Sequence, residues 1–264
     1  MSLSNRKKHE SPANNPASEE FLGNKLSFSA TEAYKLLRAN LFFCVQAKDD
    51  RSCPVIGITS SIQGEGKSTT SINLSYMIAE DGKRVCLIEG DMRAPIMKSR
   101  LKLNQSGGLP QVLAGMATIE DSIVPSFHEN LNVLPTGRIP PNPAELLGSE
   151  RMTQLIDTLR ESFDYVLIDL PPVTVVADAL AVSGALDGLI VVVEEGITTK
   201  RELADAMQRL DVIKEKILGF VVTHAGNVSS KYGKKKYGKY NSYRYGYGYR
   251  RKEKDEEENN QNPV

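Results

Sequence analysis

Apolar runs and helical periodicities alternate along this chain, and the alternation is the first guide to its fold. Runs at 55–59, 84–89, 131–135, 165–169, 189–193 and 218–223 are rich in β-branched residues and read as strands. Most are apolar at consecutive positions, the pattern of strands buried on both faces. Between them, 70–79, 144–162, 176–184 and 199–214 carry apolar residues at helical spacing, and shorter helical pieces are predicted around 109–114 and 119–123. A further helix is predicted over 31–46, with Ser29 as N-cap, Glu32 closing a capping box, and Ala33, Leu36, Leu37 and Leu41 on its apolar face. Strands separated by helices imply an α/β domain whose mostly parallel sheet is covered on both sides.

The pattern stops at both ends. Residues 1–28 are polar, contain Pro12 and Pro16, and show no apolar period, so a disordered lead is expected there. From Ser229 the composition changes again. Tyr232, Tyr237, Tyr240, Tyr243, Tyr245, Tyr247 and Tyr249 lie among Gly, Lys and Arg, and no aliphatic residue occurs between Lys231 and Lys252. Such a segment cannot bury a core, so 229–264 is expected to be a disordered tail and 29–228 the folded domain. Tyrosines interleaved with Lys and Arg also suit sequence-tolerant nucleic-acid binding.

Overall charge decides nothing, since 33 Lys and Arg balance 33 Asp and Glu among 264 residues. The three cysteines, Cys44, Cys53 and Cys86, and the histidines His9, His128 and His224 show no metal-ligand spacing, which points to reduced thiols in a cytosolic protein. No run approaches the ~18 apolar residues of a membrane span, and the polar start does not read as a signal peptide. Any membrane association is therefore expected to come through a partner.

Chemistry enters at Ser60-Ser61-Ile62-Gln63-Gly64-Glu65-Gly66-Lys67-Ser68-Thr69, between the first strand and a helix. The glycines let the loop backbone turn its N–H groups inward around phosphates. Lys67 is then placed to reach the β- and γ-phosphates, and the Ser68 hydroxyl suits the hard shell of Mg²⁺. Two further strands end in acids where open α/β sheets bind ligands. One delivers Glu89-Gly90-Asp91-Met92-Arg93-Ala94-Pro95 and the other Asp169-Leu170-Pro171-Pro172. Together these features predict a P-loop NTPase-type sandwich.

The three segments in this order, with the tyrosine cluster, resemble the bacterial tyrosine kinases. The resemblance is closest to the free-standing cytoplasmic kinases of Gram-positive bacteria that act in capsule or exopolysaccharide production. It implies an ATP- and Mg²⁺-dependent enzyme that autophosphorylates its tail tyrosines in trans. Gln63, Gly64, Glu65, Gly66, Lys67, Ser68, Thr69 and Arg93 would bind nucleotide; Ser68, Asp91 and Asp169 would serve the metal; and Lys67, Glu89, Asp91 and Asp169 would carry catalysis, with Glu89 or Asp91 as base. Glu32, Lys35 and Arg38 match the family's Glu-x-x-Arg-x-x-Arg helix, which packs between subunits of a ring. On its own, that stripe reads better as a solvated face with one weak ion pair, and the resemblance is what turns it into an interface. The implied partners are further copies of the chain, a transmembrane activator of a polysaccharide export system and a cognate tyrosine phosphatase, with no nucleic acid. The implied location is the cytoplasm, at the inner face of the membrane.

Departures from the family pattern are Glu89 and Lys35, which replace Asp and Arg, and Thr223 where related folds often carry Asn near the adenine. The segment 137–147 is also family-typical, with no chemistry assigned to it. The alternative is a switch ATPase of the ParA/MinD kind, whose loops carry an additional early lysine where this chain has Ile62.

Overall fold

A computed structural model describes residues 26–46, 53–104 and 107–225. The expected polar lead, apart from its last residues, and all seven tail tyrosines lie outside the described residues. In chain order the elements are α1 (Phe28–Gln46), β1 (Val55–Ser60), α2 (Lys67–Glu80), β2 (Val85–Glu89), α3 (Met97–Arg100), α4 (Leu109–Leu113), α5 (Ile119–Ser122), β3 (Val124–Pro125) and β4 (Leu131–Leu134). There follow α6 (Pro143–Leu147), α7 (Glu150–Ser162), β5 (Tyr165–Asp169), α8 (Asp178–Ala181), a 3₁₀ turn (Ser183–Ala185), β6 (Gly188–Glu194), α9 (Lys200–Val212) and β7 (Ile217–Thr223).

The strands form one sheet in the order β3-β4-β2-β5-β1-β6-β7, parallel throughout except for the short β3. Every residue of β1, β2 and β5 is buried. Because side chains alternate across a strand, each strand feeds two cores. Cys86, Ile88, Val166 and Ile168 pack with Leu109, Leu155, Leu159 and Leu210 on one face. Val85, Leu87, Tyr165 and Leu167 pack with Leu41, Ile72, Ile78 and Met97 on the other. The sheet is thus a sandwich filling, with α1, α2 and α3 on one side and α4, α7 and α9 on the other. β1 and β5 are neighbours and β2 lies beside β5, which brings the carboxyl ends of all three strands together.

Helix starts follow local chemistry. Ser149 caps α7, and Thr199 and Glu202 form a reciprocal capping box on α9. The N-cap expected at Ser29 is displaced to Ser27, whose hydroxyl accepts from Ala30 N at 3.2 Å and whose carbonyl accepts from Thr31 N. Glu32 is thereby a mid-turn residue, not a capping partner. Leu37 and Leu41 of α1 face the core as expected, but Leu36 points outward, 62% exposed. The predicted helix at 176–184 is broken into α8 and the 3₁₀ turn, neither capped by a side chain and the latter containing Gly184. None of the described helices is long and apolar enough to cross a membrane.

Candidate functional site

The phosphate loop leaves β1 and enters α2 through two left-handed glycines, Gly64 at φ 97° and Gly66 at φ 86°. A Cβ on Gly66 would also stand 3.2 Å from Thr223 Cγ2, so a side chain there would press on β7 as well as strain the left-handed backbone. Gly66 is the N-cap of α2 and offers no side-chain acceptor, so the first N–H groups of the helix face the loop as donors for an anion. The loop is pinned by its own acid. Glu65 is fully buried: Oε2 accepts from Ile62 N at 2.9 Å, Oε1 accepts from the Thr198 hydroxyl, and the Glu65 carbonyl accepts from Thr223 Oγ1 at 3.0 Å. Of the residues expected at the nucleotide, Glu65 thus turns its side chain away from the loop's mouth, while Gln63 is exposed at its crest. Thr69 accepts from Arg100 Nη1 at 2.7 Å.

Lys67, Asp91 and Asp169 converge at the foot of this loop. Lys67 Nζ lies 2.7 Å from Asp91 Oδ2, 3.6 Å from Asp169 Oδ1 and 3.2 Å from Ser68 Oγ. All four residues are buried. Burial pushes the Asp169 carboxyl up to about 6; Lys67 and the Ser68 and Ser71 hydroxyls pull it back, and the neighbouring Asp91 charge adds to the rise. Ser71 Oγ stands 3.2 Å from Asp169 Oδ1. Asp169 Oδ2, buried in the same place, has no hydrogen-bond partner among the described residues. An orphaned carboxylate oxygen beside a serine hydroxyl fits a hydrated Mg²⁺. Among the described residues no group of three His, Cys, Asp or Glu could hold a metal on its own. A Mg²⁺ shell completed by phosphate oxygens and waters needs no such group.

Glu89 stands apart from this cluster. Its Oε1 accepts from the N–H groups of Ile96 and Met97, each at 2.6 Å, and Oε2 accepts from Thr136 N at 2.9 Å. Three backbone donors occupy both oxygens, tying the end of β2 to the start of α3 and to the exit of β4. Arg93 is likewise engaged: it donates Nε and Nη2 to the two oxygens of the buried Asp178, which holds the guanidinium above its ordinary range. Thr136, Thr198 and Asp178 are isolated polar residues that no spacing or motif in the sequence marks.

On α1, Glu32 and Lys35 pair with each other at 2.9 Å, both half-exposed. Arg38 turns inward to the Met77 carbonyl at 3.0 Å and to Asp81 Oδ1 at 3.2 Å, at the C-terminal end of α2. Phe28, Leu36 and Phe43, spaced eight and seven residues apart, instead form an exposed apolar stripe along α1.

The family model described as an AAA domain matches residues 53–219. The chain is 37% identical over 215 residues to the tyrosine-protein kinase YwqD of Bacillus subtilis (strain 168), covering 81% of this chain and 85% of that protein. The solved kinase domain of Escherichia coli tyrosine kinase ETK superposes with a TM-score of 0.73 at 28% identity, covering 88% of this chain and 89% of that one. The septum site-determining protein MinD of Pyrococcus horikoshii OT3, solved with Mg-ADP, gives a TM-score of 0.58 at 28% identity, covering 67% of this chain and 72% of that one.

Proposed function

The chain belongs to the bacterial tyrosine-protein kinases and is a protein-tyrosine kinase; from that premise we propose that Lys67, Asp91 and Asp169 are its phosphoryl-transfer centre, acting on ATP. One observation carries the reading: a lysine at the foot of a glycine loop, flanked by two buried carboxylates at 2.7 and 3.6 Å. Ser68 and Asp169 hold Mg²⁺, which when bound neutralises charge on the phosphates. Lys67 and the first amides of α2 stabilise the γ-phosphoryl as it is transferred. Asp91 accepts the proton of the attacking phenol, whose pKa of about 10 keeps it un-ionised near neutral pH. Glu89 is not that base in this reading, because three backbone donors already occupy its oxygens.

The acceptors are Tyr232, Tyr237, Tyr240, Tyr243, Tyr245, Tyr247 and Tyr249 of another copy. Each phosphate adds about −1.5 to −2 charges to a run rich in Lys and Arg, enough for several to reverse its sign. Assembly uses α1, with the exposed stripe of Phe28, Leu36 and Phe43 as its apolar centre and the Glu32–Lys35 pair at its rim. A transmembrane activator of polysaccharide export recruits the kinase to the inner face of the membrane, and a tyrosine phosphatase resets the tail.

Mixing a tail-intact Lys67→Met protein with an active, tail-less one in Mg-ATP tests the scheme. Phosphotyrosine should appear on the Lys67→Met chain, and its absence would point to transfer within one chain. A MinD-like switch ATPase, the reading that the MinD likeness favours, would consume ATP in the same tube and leave every tyrosine unmodified.

A further inference from the structure

Asp178 begins α8 nine residues beyond Asp169 and is fully buried. Its carboxylate receives a two-pronged contact, Arg93 Nε to Oδ2 at 2.8 Å and Nη2 to Oδ1 at 3.0 Å. Arg93 follows Asp91 by two residues, and its side chain is 47% exposed. The pair therefore spans two loops that leave neighbouring parallel strands, β2 and β5, whose last residues Glu89 and Asp169 are register partners. One loop carries Asp91, and the other runs from Asp169 through the stiff Pro171-Pro172 turn to Asp178.

A guanidinium–carboxylate fork fixes orientation as well as distance, which a single point contact does not. Within the Asp91 loop the side chain is held only lightly, Oδ1 accepting from Ala94 N at 3.2 Å. At the roots of the two loops Gly90 N donates to the Asp169 carbonyl at 2.8 Å, and Lys67 Nζ lies between the two carboxylates; the Arg93–Asp178 fork adds a tie farther along both loops. A surface ion pair would contribute little, but here the carboxylate is sealed from water and needs its partner.

We propose that Asp178 is a positioning residue for phosphoryl transfer: through Arg93 it holds the Asp91 loop at the spacing from Asp169 that transfer requires. The proposal rests on Asp91 acting as the base. Arg93 in this role is a strut between loops and not a nucleotide ligand.

The test uses the full-length chain with Mg-ATP, and the tail-intact Lys67→Met chain as acceptor. Initial rates of phosphotyrosine formation are measured for Asp178→Asn, Arg93→Lys and the double variant. Displacement of a reacting group by about 1 Å costs on the order of 100-fold, so each single variant should lower kcat about 10- to 100-fold. KM for ATP should stay within about twofold, since the phosphate loop is untouched. The double variant should be no worse than the more damaged single, because both remove one contact. Additive losses, or an Arg93→Lys chain with raised KM beside an Asp178→Asn chain of normal kcat, would overturn the strut and make Arg93 a nucleotide ligand. If Asp178→Asn lacks a cooperative thermal transition, Asp178→Glu with Arg93→Lys preserves charge and redistributes length. Recovery of kcat in that pair over either single supports the proposal, and failure to recover overturns it. Asp91→Asn separates the two levels. Transfer lost there but intact in Asp178→Asn removes the strut alone, whereas transfer surviving Asp91→Asn removes the base reading and the strut with it.

Discussion

Glu89→Gln separates an anchoring acid from a catalytic one. Glu89 has three backbone clients: Ile96 N and Met97 N at 2.6 Å on one oxygen and Thr136 N at 2.9 Å on the other. A glutamine can keep its oxygen on the first two only by turning its amide NH₂ toward the third. One hydrogen bond to a charged acceptor, about 1.5–3 kcal/mol, is lost, and two buried donors are left facing each other at a further ~1–3 kcal/mol. A net cost of about 3 kcal/mol in a domain of this size lowers Tm by on the order of 10 °C. Scanning calorimetry reads that shift, and phosphotyrosine formation measured well below the lowered Tm reads the chemistry. If Asp91 is the base, kcat at that temperature should fall less than about tenfold, whereas removing a general base costs about 100- to 10,000-fold. A Glu89→Gln protein with native Tm and a thousandfold loss of kcat would refute the anchoring argument and return proton transfer to Glu89.

Three further substitutions test the same geometry. Asp169 has a folded-state pKa of about 6 against an ordinary 3.8, so the folded chain binds its proton more tightly and the group's contribution to stability falls as pH rises from about 4 to 6. In nucleotide-free protein, Asp169→Asn should match the parent near pH 4 and exceed it by up to about 3 kcal/mol above pH 6 while losing transfer; a pH-independent difference in Tm would contradict this. Arg38→Ala should lose about 1–2 kcal/mol with its contacts to Met77 and Asp81, whereas Leu36→Asp should leave Tm unchanged and lower the mass seen by light scattering. An Arg38→Ala chain of native Tm and reduced mass would restore Arg38 to the subunit interface.

The strands were legible because a strand buried on both faces must be written as a continuous apolar run. Tyr165–Asp169 matches its predicted bounds, and β1, β2 and β4 do so to within a residue. That Lys67, Asp91 and Asp169 lie at carboxyl ends of parallel strands was also legible, and the strand order then brings the three side chains together. Residue type, however, does not say which way a loop side chain turns. Glu65 and Arg93 stand in the right segments to be read as nucleotide ligands, and Glu89 as a catalytic acid, yet each is committed to a partner distant in sequence: Thr198, Asp178 and Thr136 respectively. Those partners are single polar residues with no spacing to mark them. β3, two residues ending in Pro125 at the sheet edge, is too short to show a period, and α3 has a single turn.

The anchors share one logic. Asp91 and Asp169 face a lysine in a buried site, and Asp169 meets a desolvation cost that unconstrained loops would relieve by opening. The loops that carry Lys67 and Asp91 are instead each tied to a different element: the phosphate loop to the β6–α9 connection through Glu65 and Thr198, and the Asp91 loop to α8 through Arg93. Glu89 ties the base of that second loop both to α3 and to the exit of β4. Its extra methylene relative to the family's usual aspartate then has a physical reading. A carboxyl about 1.5 Å closer to its own backbone would have to choose between the α3 amides and Thr136. The longer acid serves both, with three backbone donors on its two oxygens, and Asp91 is the acid in this segment that faces Lys67.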